Sequence, residues 1–253
     1  MLDGMGFQIP AGGLVLSLGE DGILAGPQVT AVRVRMDLWP TWLEIGCTHT
    51  NKAREAGLRL GVSLPDSDKA TLMSTELQAG LVAIAAFAFT LDGFYDTERS
   101  ELGRHPDEAS WKRAGTSRAA QVCETMRYHL KLGPKFAGQL RQCVDELFRF
   151  RSRAVHPDGK WVEPNYRPEI DSGVHPHLIT FSGPHAVQCR AMTLVLLDRL
   201  VERAMELSRA NSDNAWLERG RKELDRLMPL YRIAGDDQPA FAVSSSQKDA
   251  EVR

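Results

Sequence analysis

From Pro65 onward, apolar residues recur at three- and four-residue steps. Leu77, Leu81, Ile84, Phe87, Leu91 and Tyr95 form one broad stripe, the spacing of a helix that buries one side. Over residues 81–91 the chain is nearly apolar all round, which predicts a helix placed centrally among others. Asp66 or Asp68 can cap its start, since a carboxylate accepts from the free amides of a first turn. Pro40 opens an earlier helical segment with Trp42, Leu43, Ile45 and Cys47, ending near Gly57. After a polar loop over residues 103–115, Thr116 can cap a third helix with Ala119, Val122, Cys123, Met126 and Leu130 inward, ended by Gly133-Pro134. A fourth carries Phe136, Leu140, Cys143, Val144, Leu147 and Phe150. It stops at Val155-His156-Pro157, because proline disfavours a helical residue before it. A fifth, capped near Ser182, runs through Val187, Met192, Val195, Leu196, Leu200, Ala204 and Leu207, and a sixth spans about residues 213–230.

The flanks read differently. Leu14-Val15-Leu16 and residues 29–36 cluster in strand fashion between glycines, predicting a short hairpin or irregular arm. Residues 157–184 are Pro-rich and only weakly strand-like at residues 178–181; a loop of this length is usually functional or disordered. The tail is polar and Ser-rich, the composition of a disordered end. The expected organisation is an N-terminal arm over residues 1–38, a helical domain over 39–232 and a disordered tail over 233–253. The expected fold class is mainly α: a helical bundle with a small irregular or β-hairpin arm.

Composition narrows the function classes. The 253 residues are 43% hydrophobic and 25% charged, enough for a sizeable core. Lys+Arg is 31 and Asp+Glu 33, a net charge of −2 that supplies no global field toward nucleic acid or anionic membrane. Polyanion binding must come from a local patch. Cys47, Cys123, Cys143 and Cys189 are dispersed with no CxxC pair, the usage of packed, reduced thiols in the cytoplasm. No signal peptide is expected, and the apolar stretch over residues 81–91 is too short to span a bilayer.

The chemistry concentrates at the end of the fourth helix. Arg149, Arg151 and Arg153 alternate with Phe148, Phe150 and Ser152, and His156 follows. Arginines with aromatic rings can hold phosphates and stack a base. Residues two apart lie about 200° apart around a helix, so the three arginines converge only if the helix frays. Arg and His also favour helix C-termini as plain dipole caps. His175-Pro176-His177, with His185 and Cys189 nearby, fits no common four-ligand zinc pattern, so no metal or other cofactor is expected. Trp39 and Trp42 read as core or interface anchors, and no glycine-rich phosphate loop occurs.

Four residues separate Arg151 from His156 and six separate Arg149 from it. This end of a core helix resembles the HEPN superfamily, helical bundles that include metal-independent ribonucleases and nucleotide-binding proteins, whose signature is Arg, four to six residues, then His. The wider order is also similar: Asp92-Gly93-Phe94-Tyr95 on the long apolar helix, then residues 124–130, then Asp145-Glu146-Leu147 leading into the Arg/His step. The spacing is short, and Arg99 to His105 also matches it. The resemblance implies a homodimeric RNA- or nucleotide-binding protein, with Arg151 and His156 as a catalytic pair. Arg149, Ser152 and Arg153 then contact substrate, with Arg149 as the alternative to Arg151. In active members a small polar residue, often Asn or Asp, follows the arginine, and here that position is Ser152. The competing reading is a non-enzymatic dimeric interaction module in which Arg and His cap the helix.

Overall fold

The computed structural model describes residues 5–8, 14–18, 24–29, 33–156, 159, 161–208 and 215–231. The chain divides into two compact units, Met1–Leu38 and Trp39–Arg253.

Among its described residues the first unit contains four short strands, β1 (Met5–Gln8), β2 (Leu14–Leu18), β3 (Leu24–Val29) and β4 (Arg33–Met36). β1 pairs antiparallel with β4 and β2 with β3, the second ladder shifting register between Val15 and Ser17. β1 and β3 carry glycines and Pro27, which break the apolar alternation that would announce a strand. The 233–253 tail lies outside the described residues.

The second unit is mainly helical: α1 (Trp39–Leu58), α2 (Asp66–Leu102), α3 (Glu108–Ala114), α4 (Arg118–His129), α5 (Pro134–Val155), α6 (Pro176–Thr180), α7 (Gly183–Ser208) and α8 (Ala215–Tyr231). A small hairpin of β5 (Asn165–Arg167) and β6 (Ser172–Val174) lies between α5 and α6. α2 is the axis, in contact with α1, α4, α5 and α7. Its Ile84, Phe87, Leu91 and Phe94 are fully buried with Leu43 and Cys47 of α1, Leu140 and Leu147 of α5, and Leu197 and Leu200 of α7. Each such side chain contributes about 1.5–3 kcal/mol by leaving water. α1 and α2 run antiparallel: Trp39 meets Phe94 edge-on at 5.7 Å and Gly46 lies against the Phe87 ring. Glycines set several close approaches. A Cβ at Gly46 would stand 2.5 Å from Phe87, and one at Gly80 would stand 1.9 Å from the carbonyl oxygen of Phe181.

Several local expectations are corrected. α2 begins at Asp66 with Pro65 at its N-cap and no side-chain cap bond, so Asp66 and Asp68 are first-turn carboxylates at the positive dipole end. The helix continues to Leu102, making it long and apolar enough to cross a membrane by length and composition. Yet 56% of its apolar window is buried within the bundle. The polar stretch over residues 103–115 contains α3, tied to α2 by Arg99 Nε donating to Glu108 at 3.1 Å. Ser117, not Thr116, caps α4, accepting from Ala120 N–H at 3.3 Å. Gly133-Pro134 opens α5 and does not close α4, as suits proline at a first helical position. Residues 178–181 carry the end of α6 and are not strand; the strands lie earlier, at β5 and β6.

One carboxylate organises the segment after α5. Glu76, 1% exposed, accepts from the Gly183 N–H at 2.8 Å and lies 2.7 Å from Arg167 Nη2. It therefore caps α7 from across the bundle while anchoring β5. At Gly57 of α1 a Cβ would come within 2.6 Å of its Oε1.

Candidate functional site

α5 stays wound through Val155, where the His156 N–H closes it onto the Ser152 carbonyl at 2.9 Å. The fraying that would gather all three arginines does not occur, because Leu147, Phe148 and Phe150 are packed into the core. Helical geometry then sorts the predicted residues by side. Arg149, Ser152 and Arg153 follow an i, i+3, i+4 pattern on one exposed side. Arg151 falls between Leu147 and Phe148 in the core-facing arc and turns toward α2.

Arg151 is engaged there. Its Nη1 lies 3.6 Å from Asp92 Oδ2, and its guanidinium sits over the Phe148 and Phe89 rings at 4.8 and 5.5 Å. Asp92 has a closer partner, Arg118 of α4, whose Nε donates to Oδ1 at 2.6 Å. The same Arg118 reaches Asp96 at 2.9 Å and lies 4.3 Å over the Tyr95 ring. Asp92 thus joins α2, α4 and α5 through two guanidinium groups. It belongs to the Asp92-Gly93-Phe94-Tyr95 stretch already singled out in the sequence, although its partners lie far along the chain.

The exposed face has its own setting. Arg149 is 3.9 Å from Glu146 and lies 5.1 Å over Phe150, whose ring meets His185 of α7 edge-on at 4.6 Å. Among the described residues no hydrogen bond or ring contact joins Arg151 to His156. Arg149, Ser152 and Arg153 share one exposed side of α5, and His156 follows, also exposed, at its C-cap.

The other candidates have structural partners. His175 Nδ1 accepts from the His177 N–H at 3.2 Å, capping α6, and His177 stacks on Phe181 at 5.7 Å. His185 Nδ1 meets the Thr180 carbonyl, and its Nε2 lies 3.9 Å from Cys189 Sγ. Burial pushes the Cys189 thiol far above its usual range, so this pair has no ready thiolate. Among the described residues no group of three His, Cys, Asp or Glu meets in a metal-binding cluster. Glu76 and Glu98, which flank the apolar stretch of α2, went unmarked in the sequence. Glu98 is fully buried, among the described residues neither of its oxygens is hydrogen-bonded, and burial pushes its carboxyl up to about 8. The available signal was position: each carboxylate falls about one to three turns from core residues of the same helix, Ile84 and Phe87 for Glu76, Phe94 and Tyr95 for Glu98.

Comparison of the chain with protein-family models, with characterised proteins and with solved structures returns no match.

Proposed function

We propose that this protein is a HEPN-like RNA- or nucleotide-binding protein that contacts phosphates through Arg149, Arg153, Ser152 and His156 on the exposed side of α5. The observation that carries the reading is the clustering of two arginines, a hydroxyl and an imidazole on one solvent-facing helix end. Guanidinium groups bind phosphate by charge-assisted hydrogen bonds. An imidazole can take the proton of a ribose 2′-hydroxyl or protonate the leaving 5′-oxygen. In-line attack of that 2′-oxygen on the adjacent phosphorus would break the P–O5′ bond, leaving a 2′,3′-cyclic phosphate and a 5′-hydroxyl without a metal ion. Arg149 would stabilise the charge gained in the transition state. Arg151, held by Asp92, would anchor α5 against α2.

The test is incubation of wild type and His156→Ala with mixed single-stranded RNA in the presence of chelator. Cleavage that His156→Ala abolishes supports the enzymatic form. Binding without cleavage supports RNA recognition alone. A wild type that neither binds nor cuts overturns both.

The second reading is a non-enzymatic dimeric module, favoured by the engagement of Arg151 with Asp92 and two rings. Homodimerisation is common to the two readings and follows from the family resemblance. Light scattering at micromolar concentration is expected to report twice the chain mass, and a monomer would count against it.

A further inference from the structure

A pocket of about 270 Å³ lies away from the α5 end, between the α4–α5 turn and α7. Lys131 and Phe136 border it on one side; Arg199, Glu202, Arg203 and Glu206 border it on the other. The α7 residues follow an i, i+3, i+4, i+7 pattern, so all four project from one side of that helix. Arg203 is committed: its Nε donates to the Leu130 carbonyl at 3.1 Å and its Nη1 to Glu206 at 2.8 Å. Among the described residues Arg199 reaches only the neutral Gln139, at 3.3 Å. Among the described residues neither Lys131 nor Arg199 forms an ion pair.

The backbone of Lys131 supplies a second, independent observation. Its φ is +48°, in the left-handed region, and the Leu132 N–H closes onto the Arg127 carbonyl at 3.1 Å. Lys131 therefore occupies the residue after the α4 C-cap, the position where helices usually place glycine because any Cβ is strained there. A strained non-glycine residue in a cavity wall points to a role for its side chain. Here that side chain brings a cation to the rim.

From this geometry we infer that the pocket is a binding site for a compact anion, an oxyanion head between Lys131 and Arg199 with an apolar body lying on Phe136. The volume, just below the range of drug-sized sites, suits a small ligand group. A carboxylate and a phosphate ester share the required head chemistry.

Titration calorimetry with phenyl phosphate, benzoate, inorganic phosphate and benzyl alcohol tests the inference. Wild type is expected to bind phenyl phosphate or benzoate saturably and more tightly than inorganic phosphate or the neutral alcohol; the tighter of the two aromatic anions identifies the head group. Lys131→Gly is expected to weaken that binding about tenfold, the scale of one hydrogen bond to a charged group. Its melting temperature should be equal or higher, because glycine relieves the left-handed strain. This variant cannot lose binding by failing to fold unnoticed. Arg199→Gln should weaken binding similarly. Absence of saturable binding to all four probes overturns the inference, as does Lys131→Gly binding with wild-type affinity.

Discussion

Arg149, Arg151 and Arg153 are alike in type and within five positions of one another, yet their surroundings assign them different work. Arg149 and Arg153 face solvent, whereas Arg151 is clamped between two rings and a carboxylate. Substituting Arg149 or Arg153 by Ala is expected to reduce the salt dependence of single-stranded RNA binding by about 0.7 in slope each, with stability unchanged. Arg151→Ala is expected to leave that slope alone and lower stability on the order of 1 kcal/mol through lost ring contact and ion pairing. Fluorescence anisotropy across a salt series, paired with urea denaturation, separates the two effects. The reverse assignment would move phosphate contact to the α2 side.

Glu98 poses a different residue-scale problem. In the unfolded chain its carboxyl ionises near 4.5, while in the fold it keeps its proton to about 8. The folded state thus binds the extra proton between these values, so the stabilisation present below the lower value is lost as pH rises through the upper one. Through this single group, stability should fall by about 1.4 kcal/mol per pH unit in that window. Denaturation of wild type and Glu98→Gln at pH 5 and pH 8 checks this: the variant should gain relative stability as pH rises. Parallel curves would mean that the carboxyl reaches water.

Elements depend on one another through charges as well as apolar packing. The β5–β6 hairpin is short and leaves Tyr166 exposed, and its apolar burial is confined to Ile170 and Val174, which form a small cluster with Leu60. Its anchor is Arg167, 3% exposed, against Glu76, which also caps α7. Removing one partner of a buried ion pair strands the other, at about 3–5 kcal/mol. Glu76→Ala is therefore expected to destabilise the protein by roughly that amount and to speed amide exchange over residues 165–183. Arg167→Met should speed exchange in the hairpin while α7 keeps its carboxylate cap. If exchange accelerates equally throughout the protein in Arg167→Met, the hairpin is not a separately anchored element.

At the scale of the whole molecule, the helical unit closes around α2, and its thiols report on that closure. All four cysteines are buried and free, and burial pushes Cys47 and Cys123 up to about 12. Native protein should react slowly with a thiol reagent at pH 8, and four thiols should appear at once in denaturant. Fast native labelling of any of them would show that the core opens. Much of this architecture was legible beforehand: apolar periodicity is a local property, so it marked α1, α2, α4, α5, α7 and α8 and the concentration of Arg and His at the end of α5. Other features required the assembled fold. Ser117 and Thr116 are adjacent and can both cap, and which does depends on where the chain enters the helix. The hairpin, the capping of α7 by Glu76 and the Arg118–Asp92–Arg151 bridge join residues far apart in sequence, and a linear pattern carries no record of such partners. The sides taken by the three arginines turned on whether α5 frays, and its apolar residues decide that by packing into the core. Sequence alone marked the six long helices, because burying a stripe requires only local spacing, whereas the short α3 and α6 carry no such stripe. Tertiary structure decided which charges are buried, paired or left facing solvent, because desolvation and ion pairing depend on distances in space.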